Sequence, residues 1–466
     1  MSDAMDGHNS APRWKMKPLA IELDDRALSF ARDGMTLSSA PGAVFDGGTR
    51  EAAGTLAWHA LRSHPTVTSS RHWETALTQA DVSQRALRLL SADLSQRLEV
   101  QPARPDERVW MLAPAIAQAS GLGTILGLAR ALALQVDGFV DGATACVAAL
   151  GTERNAIAVE LGLHHAAATA IDVAAGVARR RRTVQTNKGG VVELYQAWIE
   201  FISMAMVKRT RFDPLHDAAT EQMLFDAIAG VVSEAEAAGA ATAALVKGDE
   251  RFEVELSRDQ LALAAQPLTR EILRLVHELR PAGMAVTLVM PRALAEVPGL
   301  RGEIEQFVDC ELVAVPDGFA AATLSQLDLP ARTTDDSVHL VRRLPLRSPA
   351  ESAGGPIRTR LGGRKAGGPA PTHLLWDGRA IPVGSEAVIV GRSPGSDRSI
   401  TLPDGLAGVS RRHCTFVGDG DELVLLDHSS FGTYVNGERV VERVRVYSGD
   451  RVRLGEPGIE LALICV

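Results

Sequence analysis

Cysteine is scarce in this chain, and the few that are present stand far apart. Among 466 residues only four are cysteine, and none of them forms a Cys-x-x-Cys pair: Cys146, Cys310, Cys414 and Cys465. This spacing excludes a cysteine-based zinc site. The scarcity also fits a reducing compartment, so we expect a cytoplasmic protein.

The chain also lacks a surplus of positive charge and a long uninterrupted apolar run. Its formal net charge is −8 and its pI is near 5.9, so we do not expect nucleic acid as a partner. The most apolar region, Ala113–Leu150, is broken by Arg130, Asp137 and Asp141. Residues 1–16 are polar, carry no apolar signal core and are expected to form a flexible tail. We therefore expect no membrane segment.

The C-terminal part of the chain alternates short apolar runs with turn-forming residues. Between Val388 and Gly437, runs rich in β-branched residues are separated by Gly, Pro, Asp and Ser. Such a pattern predicts short strands, and Asn436-Gly437 predicts a two-residue hairpin turn because both residues tolerate positive φ. Short strands joined by polar loops favour a β-sandwich.

Two of these loops carry residues that suit an anion. One holds Gly391-Arg392, and the next holds Ser410-Arg411-Arg412-His413. The planar guanidinium of arginine matches a phosphate, and hydroxyl and backbone N–H groups complete such a site. Each charge-assisted hydrogen bond contributes roughly 1.5–3 kcal/mol, so a few can hold a phosphopeptide modestly. The competing interpretation is that these are solvated loop residues.

Three motifs in this order resemble a forkhead-associated (FHA) domain, a β-sandwich that binds phosphothreonine peptides. They are Gly391-Arg392, S-R-R-H at Ser410–His413, and D-x-S-S-x-G-T-x-V-N-G at Asp427–Gly437. The resemblance implies an all-β FHA domain over residues 372–466. It also implies a Thr-phosphorylated protein as partner and a Ser/Thr protein kinase that modifies it.

The resemblance assigns roles to individual loop residues. Phosphopeptide binding falls to Arg392, Ser410, Arg411 and Ser430. Structural roles in the loops fall to Gly391, His413, Gly432, Asn436 and Gly437. In one departure, Phe431 stands where the family usually has an asparagine that holds the peptide backbone, and the loop is one residue shorter. This departure concerns peptide selectivity more than phosphate binding.

The region 17–344 has a repeated order of elements. Two groups of strands, beginning near Lys17 and Ala156, are each followed by helices, which predicts a duplicated α/β architecture with a cleft between the halves. The order resembles the superfamily of actin, sugar kinases and heat-shock-chaperone ATPases. It is carried by AIELDDRALSFA, IAVELGLHHAAATAIDV, NKGGVVELYQAWIEFI, VTLVMPRALAEVPGLRGEIEQF and DGFAAATLSQL. Further predictions are helices over Ile116–Val136, Ala218–Ala237, Arg258–Ala265 and Leu268–Leu279.

The resemblance breaks down where the superfamily binds its nucleotide. This degenerate site comprises Glu22, Asp24, Glu160, Gly162 and Met290. Gly162 retains the residue of the superfamily, and the other four positions are substituted. Carboxylates facing a triphosphate at about 4–6 Å would cost several kcal/mol, and Pro291 offers no N–H. We therefore expect no catalytic residue, no metal, no ATP or magnesium cofactor, and no enzyme activity.

Alternatives stay open for this region. Glu22 and Glu160 could face a metal with His164-His165 as further ligands. The competing interpretations are strand-end solvation for the glutamates and a surface loop for the histidines. The basic run Arg179–Arg182 is interpreted as decoration of an exposed or edge strand, with a patch for nucleic acid or an acidic partner as the alternative. At the level of the whole protein, the alternatives are a divergent ATPase or chaperone-like protein regulated by its FHA domain, and an actin-like filament.

Residues 345–371 are rich in Pro, Gly, Ser and Arg and are predicted to be a flexible linker. Its reach would let the C-terminal module fold back on its own chain. Just upstream, Thr333 stands three residues before Asp336. We therefore formulate the hypothesis that phosphorylated Thr333 is an intramolecular ligand, against the interpretation of an ordinary solvated loop.

Overall fold

The computed structural model describes most of the chain. The described residues are 17–48, 51–307, 309–327, 329, 338–347, 357–360 (backbone only), 370–384, 386–396, 398–403, 405–420 and 422–465. They form an α/β body, from strand β1 to strand β18, followed by a β-sandwich. None of the described helices is both long and apolar enough to cross a membrane.

The first half of the body is built on one six-stranded sheet. Its order is β16-β8-β7-β1-β2-β3, in which β16 (Leu340–Val341) comes from the end of the body, β1 to β3 are antiparallel, and β7 and β8 run parallel to β1. The bounds are β1 (Leu19–Glu22), β2 (Leu28–Arg32), β3 (Met35–Ala40), β4 (Val44–Asp46), β5 (Glu51–Ala53), α1 (Thr55–Trp58), β6 (Thr68–Ser69), α2 (His72–Thr78), α3 (Gln84–Val100), β7 (Arg108–Ala113), α4 (Ala119–Ala131), β8 (Gln135–Asp141) and α5 (Gly142–Leu150).

The second half carries a seven-stranded sheet of order β17-β11-β10-β9-β14-β15-β18. The bounds are β9 (Ala156–Leu161), β10 (Ala166–Ala174), β11 (Val177–Thr186), α6 (Val191–Thr210), a 3-10 turn (Pro214–His216), α7 (Ala218–Ala238), β12 (Ala240–Lys247), β13 (Glu250–Ser257), α8 (Arg258–Leu279), β14 (Val286–Pro291), α9 (Arg292–Ala295), α10 (Leu300–Ile304), β15 (Cys310–Val315), α11 (Phe319–Leu324), β16 (Leu340–Val341), β17 (Arg343–Pro345) and β18 (Ile357–Arg360).

The two sheets share one internal order. In each, an antiparallel group of three strands is followed by two parallel strands, giving β3-β2-β1-β7-β8 in the first and β11-β10-β9-β14-β15 in the second. Helices α5 and α11 pack between the sheets, and nearly every residue of α5 is buried. Because β1 and β9 occupy equivalent places, the loops that follow them meet across the cleft between the halves.

The C-terminal module is a sandwich of a six-stranded sheet, β20-β19-β29-β28-β25-β26, and a five-stranded sheet, β22-β21-β23-β24-β27. Its apolar core includes Val388, Val390, Phe416 and Leu425. The bounds are β19 (His373–Trp376), β20 (Arg379–Pro382), β21 (Val388–Gly391), β22 (Ser399–Thr401), β23 (Cys414–Asp419), β24 (Glu422–Asp427), β25 (Thr433–Val435), β26 (Glu438–Arg439), β27 (Arg443–Val446), β28 (Arg451–Leu454) and β29 (Ile459–Ile464).

The sandwich is docked on the body through its β25–β26 hairpin. Arg280, at the end of α8, is fully buried and forms an ion pair with Glu438. The backbone N–H of Ala282 donates to the carbonyl of Arg439 at 2.8 Å. The tip of the hairpin, Gly437, lies against the ring of His277. The C-terminal module is therefore held by specific contacts in addition to the chain connection.

Several predicted elements differ from the structure. Residues 135–141, the start of which was predicted as helix, form strand β8. A single helix, α8, runs through Pro267 where two helices were predicted. Within the predicted linker, Ile357–Arg360 pairs with β15, so this stretch is attached to the body sheet. Thr333 lies outside the described residues.

Candidate functional site

The ends of β21 and β23 bring the two arginine-bearing loops together at one end of the sandwich. The N–H of Arg392 donates to the carbonyl of Ser410 at 3.2 Å, and the N–H of Ser393 donates to the carbonyl of Arg411 at 3.0 Å. Gly391 makes this approach possible, because a Cβ there would lie 2.0 Å from the carbonyl oxygen of Arg411. Residues predicted from separate motifs are thus neighbours.

The polar groups of these loops form what we call the anion site: Arg392, Ser410, Arg411 and Ser430. Arg392 is half-buried, and its Nε is buried without a hydrogen-bond partner among the described residues. The Oγ of Ser410 accepts from the N–H of Ser430 at 3.2 Å, which ties the third loop to the second. Arg411 is exposed beside them. A buried guanidinium donor without a partner is suited to an incoming anion.

His413 connects the loop of Ser410 to the loop of Gly432 by hydrogen bonds from inside the sandwich. It is fully buried, its Nδ1 accepts from the N–H of Ser410 at 3.0 Å, and its Nε2 lies 3.1 Å from the carbonyl of Gly432. Since Nδ1 acts as an acceptor, we assign the proton to Nε2, which then donates to that carbonyl. Burial lowers the pKa of His413, which favours this neutral form.

The loop between β24 and β25 is fixed by a carboxylate that the sequence analysis left without a role. Asp427 Oδ1 accepts from the N–H of Ser429 at 3.0 Å and from the hydroxyl of Thr433 at 2.7 Å. Gly432 takes a φ of 86°, which a residue with a side chain rarely adopts. Phe431, between these anchors, is 54% exposed.

The predicted FHA residues do not all lie at this end. Asn436 and Gly437 form the predicted hairpin turn, with φ values of 51° and 87°. This turn is at the opposite end of β25 from Gly432, against the body. The other predicted residues gather around the anion site: Gly391, Arg392, Ser410, Arg411, His413, Ser430 and Gly432.

In the body, the five residues of the predicted degenerate site line one cavity of about 70 Å³ between the halves. They are Glu22, Asp24, Glu160, Gly162 and Met290. Burial, reinforced by the neighbouring Asp24, raises the pKa of Glu22 from 4.5 to about 8. Burial likewise raises the pKa of Glu160 to about 8, and it raises the pKa of Asp24. These carboxyls are therefore not simply solvated strand ends.

Arg26 is the residue of this cavity that the sequence analysis missed. Its Nη2 lies 3.2 Å from a carboxylate oxygen of Asp24 and 2.7 Å from one of Asp317. Only 9% of its side chain is exposed. Burial alone would lower the pKa of Arg26, but the carboxylates outweigh it and raise that pKa. The sequence shows that Asp24 and Arg26 share the first loop, but it does not show that Asp317 lies beside them in space.

Direct contacts also join the two sides of the cleft. Asp25 Oδ1 accepts from the N–H of Leu163 at 2.9 Å. Further out, Gln222 Oε1 accepts from the N–H of Arg62 at 2.6 Å. Ser70 Oγ lies 2.9 Å from Nε2 of His164. The halves of the body are therefore linked by the protein's own groups.

The interpretation of His164-His165 as part of a surface loop is wrong, because both side chains are buried, at 5% and 6% exposure. Nδ1 of His164 lies 3.1 Å from Glu193. Across the residues that the structure describes, no group of three His, Cys, Asp or Glu side chains could hold a metal ion. In the basic run on β11, Arg180 pairs with Asp141 at 2.6 Å.

The C-terminal module matches a known protein family. The family model described as "FHA domain" matches residues 388–455, which include every residue of the anion site. No curated protein matches the chain. The matched segment carries the two arginine-bearing loops, the buried histidine and the loop braced by Asp427, and the C-terminal module of this chain is therefore an FHA domain.

Proposed function

We propose that this protein is a signalling adaptor that captures a Thr-phosphorylated protein through its FHA domain, with the body as a scaffold. The observation that carries the proposal is that Arg392, whose Nε lacks a partner among the described residues, is held beside Ser410 by the hydrogen bond from its backbone N–H to the carbonyl of Ser410. A Ser/Thr protein kinase would supply the modified partner. The cytoplasm is the compartment that suits the four separated cysteines.

We further propose that the body is a non-catalytic relative of the actin and heat-shock-chaperone ATPases. The shared strand order of its two sheets supports this relation. The residues of the cavity do not fit a magnesium-bound triphosphate. Glu22, Asp24 and Glu160 present carboxyls to the space, and Arg26 is already engaged by Asp24 and Asp317. A triphosphate would have to displace these contacts of Arg26.

The phosphopeptide proposal is tested by fluorescence anisotropy with the full chain and a library of phosphothreonine peptides, each paired with its unphosphorylated form. Arg392→Ala and Ser410→Ala should each weaken binding by about 2 kcal/mol, the value of a charge-assisted hydrogen bond. Arg451→Ala is the matched control, because this exposed arginine pairs with Glu460 on the strands. Equal affinity of wild type and both site variants would contradict the proposal.

The proposal for the body is tested by thermal unfolding with magnesium and ATP. A ligand at one hundred times its dissociation constant stabilises the folded state by about 2.7 kcal/mol. We expect no shift in the unfolding temperature. A clear upward shift would favour the alternative, a divergent ATPase or chaperone-like protein regulated by its FHA domain.

The phosphorylated Thr333 region remains a candidate ligand within the same chain. If it is one, the phosphorylated full chain should bind added phosphopeptide less well than a Thr333→Ala variant treated with the same kinase. Absence of phosphate at this position in protein from its native host, measured by mass spectrometry, would remove this candidate.

A further inference from the structure

Four consecutive arginines, Arg179–Arg182, lie on strand β11 of the body, beside strand β17 at one end of the second sheet. Strand β17 pairs with the first part of β11, and in this pairing Arg179 stands directly opposite Arg343. Directly opposite residues of an antiparallel pair point to the same face, with Cβ atoms about 4.5–5.5 Å apart. Two guanidinium groups are therefore held close together on one face of the sheet.

The neighbouring residues show which face of the sheet this is. Ala178 and Leu344 point to the other face and are buried in the core that contains α5. Because side chains alternate along a strand, Arg179 and Arg343 point away from α5, and both are exposed. Helix α8 belongs to the core on this opposite face of the sheet. The two arginines therefore stand on the α8 side of the body, at the end of the sheet.

The exposed arginines on this side form what we call the basic face: Arg179, Arg181, Arg182 and Arg343. Two carboxylates balance part of their charge, since Asp172 lies 3.6 Å from Arg181 and Glu278 of α8 lies 2.5 Å from Arg182. The two arginines that stand opposite each other form no ion pair within the part of the chain that the structure describes. The basic face thus keeps an excess of positive charge on a chain whose net charge is −8.

Protection of the sheet edge does not account for this arrangement. Charged residues and proline on an edge strand discourage pairing with other chains, and β17 carries both, as Arg343 and Pro345. Arg179 has β17 beside it and is therefore not an edge residue. Like charges directly opposite each other destabilise a strand pair. A partner that supplies negative charge would remove this cost, which the free chain carries.

We infer that the basic face docks an acidic segment of another protein, rich in Asp and Glu. Guanidinium groups bind carboxylates through two parallel hydrogen bonds, and a carboxylate between Arg179 and Arg343 would be shared by both. Pro345 has no N–H to offer to an added strand, so the segment is recognised through its side chains.

Two observations favour a protein over a nucleic acid at the basic face. Single-stranded nucleic acids stack their bases on aromatic side chains, whereas Phe431, in the FHA domain, is the only exposed Phe, Tyr or Trp among the described residues. The net charge of −8 also repels a long polyanion. Since the basic face and the anion site lie on different domains, the inference does not depend on the phosphopeptide function.

The test measures binding of a labelled oligo-glutamate peptide of about twelve residues, which spans the face at about 3.3 Å per residue. Anisotropy is recorded with the full chain, and every protein carries Arg392→Ala and Arg411→Ala to remove the competing guanidiniums of the anion site. Adding Arg179→Ala with Arg343→Ala should weaken binding by about tenfold or more, as loss of charge-assisted hydrogen bonds does. Arg179→Glu with Arg343→Glu should instead bind an oligo-lysine peptide of the same length.

The matched control is Arg85→Ala with Arg88→Ala, which removes two exposed arginines from α3 and should keep the affinity for oligo-glutamate. Thermal unfolding separates docking from a structural role. Because Arg179→Ala with Arg343→Ala removes a repulsion between like charges, the unfolding temperature should stay equal or rise. A clear fall would show that the two arginines support the fold, and it would overturn the inference.

Two further outcomes would also overturn it. One is that oligo-glutamate fails to bind the chain with an intact basic face, or that binding is lost equally in the Arg85 and Arg88 control. The other is that single-stranded RNA of the same length binds more tightly than oligo-glutamate and is lost with Arg179 and Arg343, which would assign the basic face to nucleic acid.

Discussion

Burial sets the protonation state of individual side chains at both sites. In the FHA domain it keeps His413 neutral, so that one ring nitrogen can accept from Ser410 while the other donates to Gly432. In the body it favours the protonated forms of Glu22 and Glu160. Each effect changes how stability depends on pH, and the two act in opposite directions.

For His413, the folded pKa is lowered below the unfolded value of 6.5. As the pH falls below 6.5, the unfolded chain binds a proton that the folded chain does not, so the free energy of unfolding should fall. His413→Ala should remove this dependence and cost about 2 kcal/mol, because it leaves the N–H of Ser410 without its acceptor and removes one of the two donors to the carbonyl of Gly432. Urea unfolding followed by a probe in the FHA domain measures both effects, and His428→Ala, exposed on the next loop, is the control.

For Glu22, the folded pKa of about 8 exceeds the ordinary value of 4.5. Between these values the folded chain holds a proton that the unfolded chain has lost, so the free energy of unfolding should decrease as the pH rises. The slope approaches about 1.4 kcal/mol per pH unit for each such carboxyl. Glu22→Gln should flatten this slope in urea unfolding of the body from pH 5 to pH 8. An equal slope in Glu22→Gln and in the exposed control Glu99→Gln would contradict the assignment.

At the scale of elements, the anion site depends on how closely the loop after β21 approaches the loop before β23. Gly391→Ala would place a methyl group 2.0 Å from the carbonyl oxygen of Arg411. We expect it to destabilise the FHA domain by about 1–3 kcal/mol, as overpacking does, and to weaken phosphopeptide binding because the loops must separate. Gly384→Ala, which meets no atom within 4 Å, should change neither property. Calorimetric unfolding and peptide anisotropy are the measurements.

Much of the element order could be predicted from the sequence, because apolar strands and helical periodicity are local patterns. Strand β8 was missed since the turn before it is made by Ala133, with φ 59°, where no glycine marks the break. Helix α8 continues through Pro267 because its buried face, including Ile272, holds it against the body. Strand β12 was not predicted, because its alanine-rich sequence lacks the β-branched composition that indicates a strand.

Site residues could be predicted where they belong to a recognisable sequence motif. They could not be predicted where their role depends on a partner that is distant in the sequence. Arg392 and Ser410 follow from loop motifs. Arg26 could not be assigned, because its partner Asp317 lies 291 residues away. The same holds for Arg280 and Glu438, since an ion pair between domains leaves no periodic pattern in either segment.

At the scale of the whole molecule, the buried pair between Arg280 and Glu438 fixes the FHA domain to α8. Arg280→Met would leave the carboxylate of Glu438 buried without this partner, a change that costs about 3–5 kcal/mol for such pairs. We expect faster amide exchange in the β25–β26 hairpin and at the end of α8. Phosphopeptide affinity should persist, because the anion site lies at the other end of β25.

The double variant Arg280→Met with Glu438→Gln removes both charges and should recover part of the exchange protection. Unchanged protection in the single variant would show that the ion pair does not hold the two domains together.

The three-residue strand β25 joins the anion site to the docked turn. A phosphoprotein pulling on the loops at one end would transmit its tension along this strand and into the helix that ends at Leu279. The load would then be shared by the strands beside β25, by the ion pair between Arg280 and Glu438, and by the polypeptide connection between the domains.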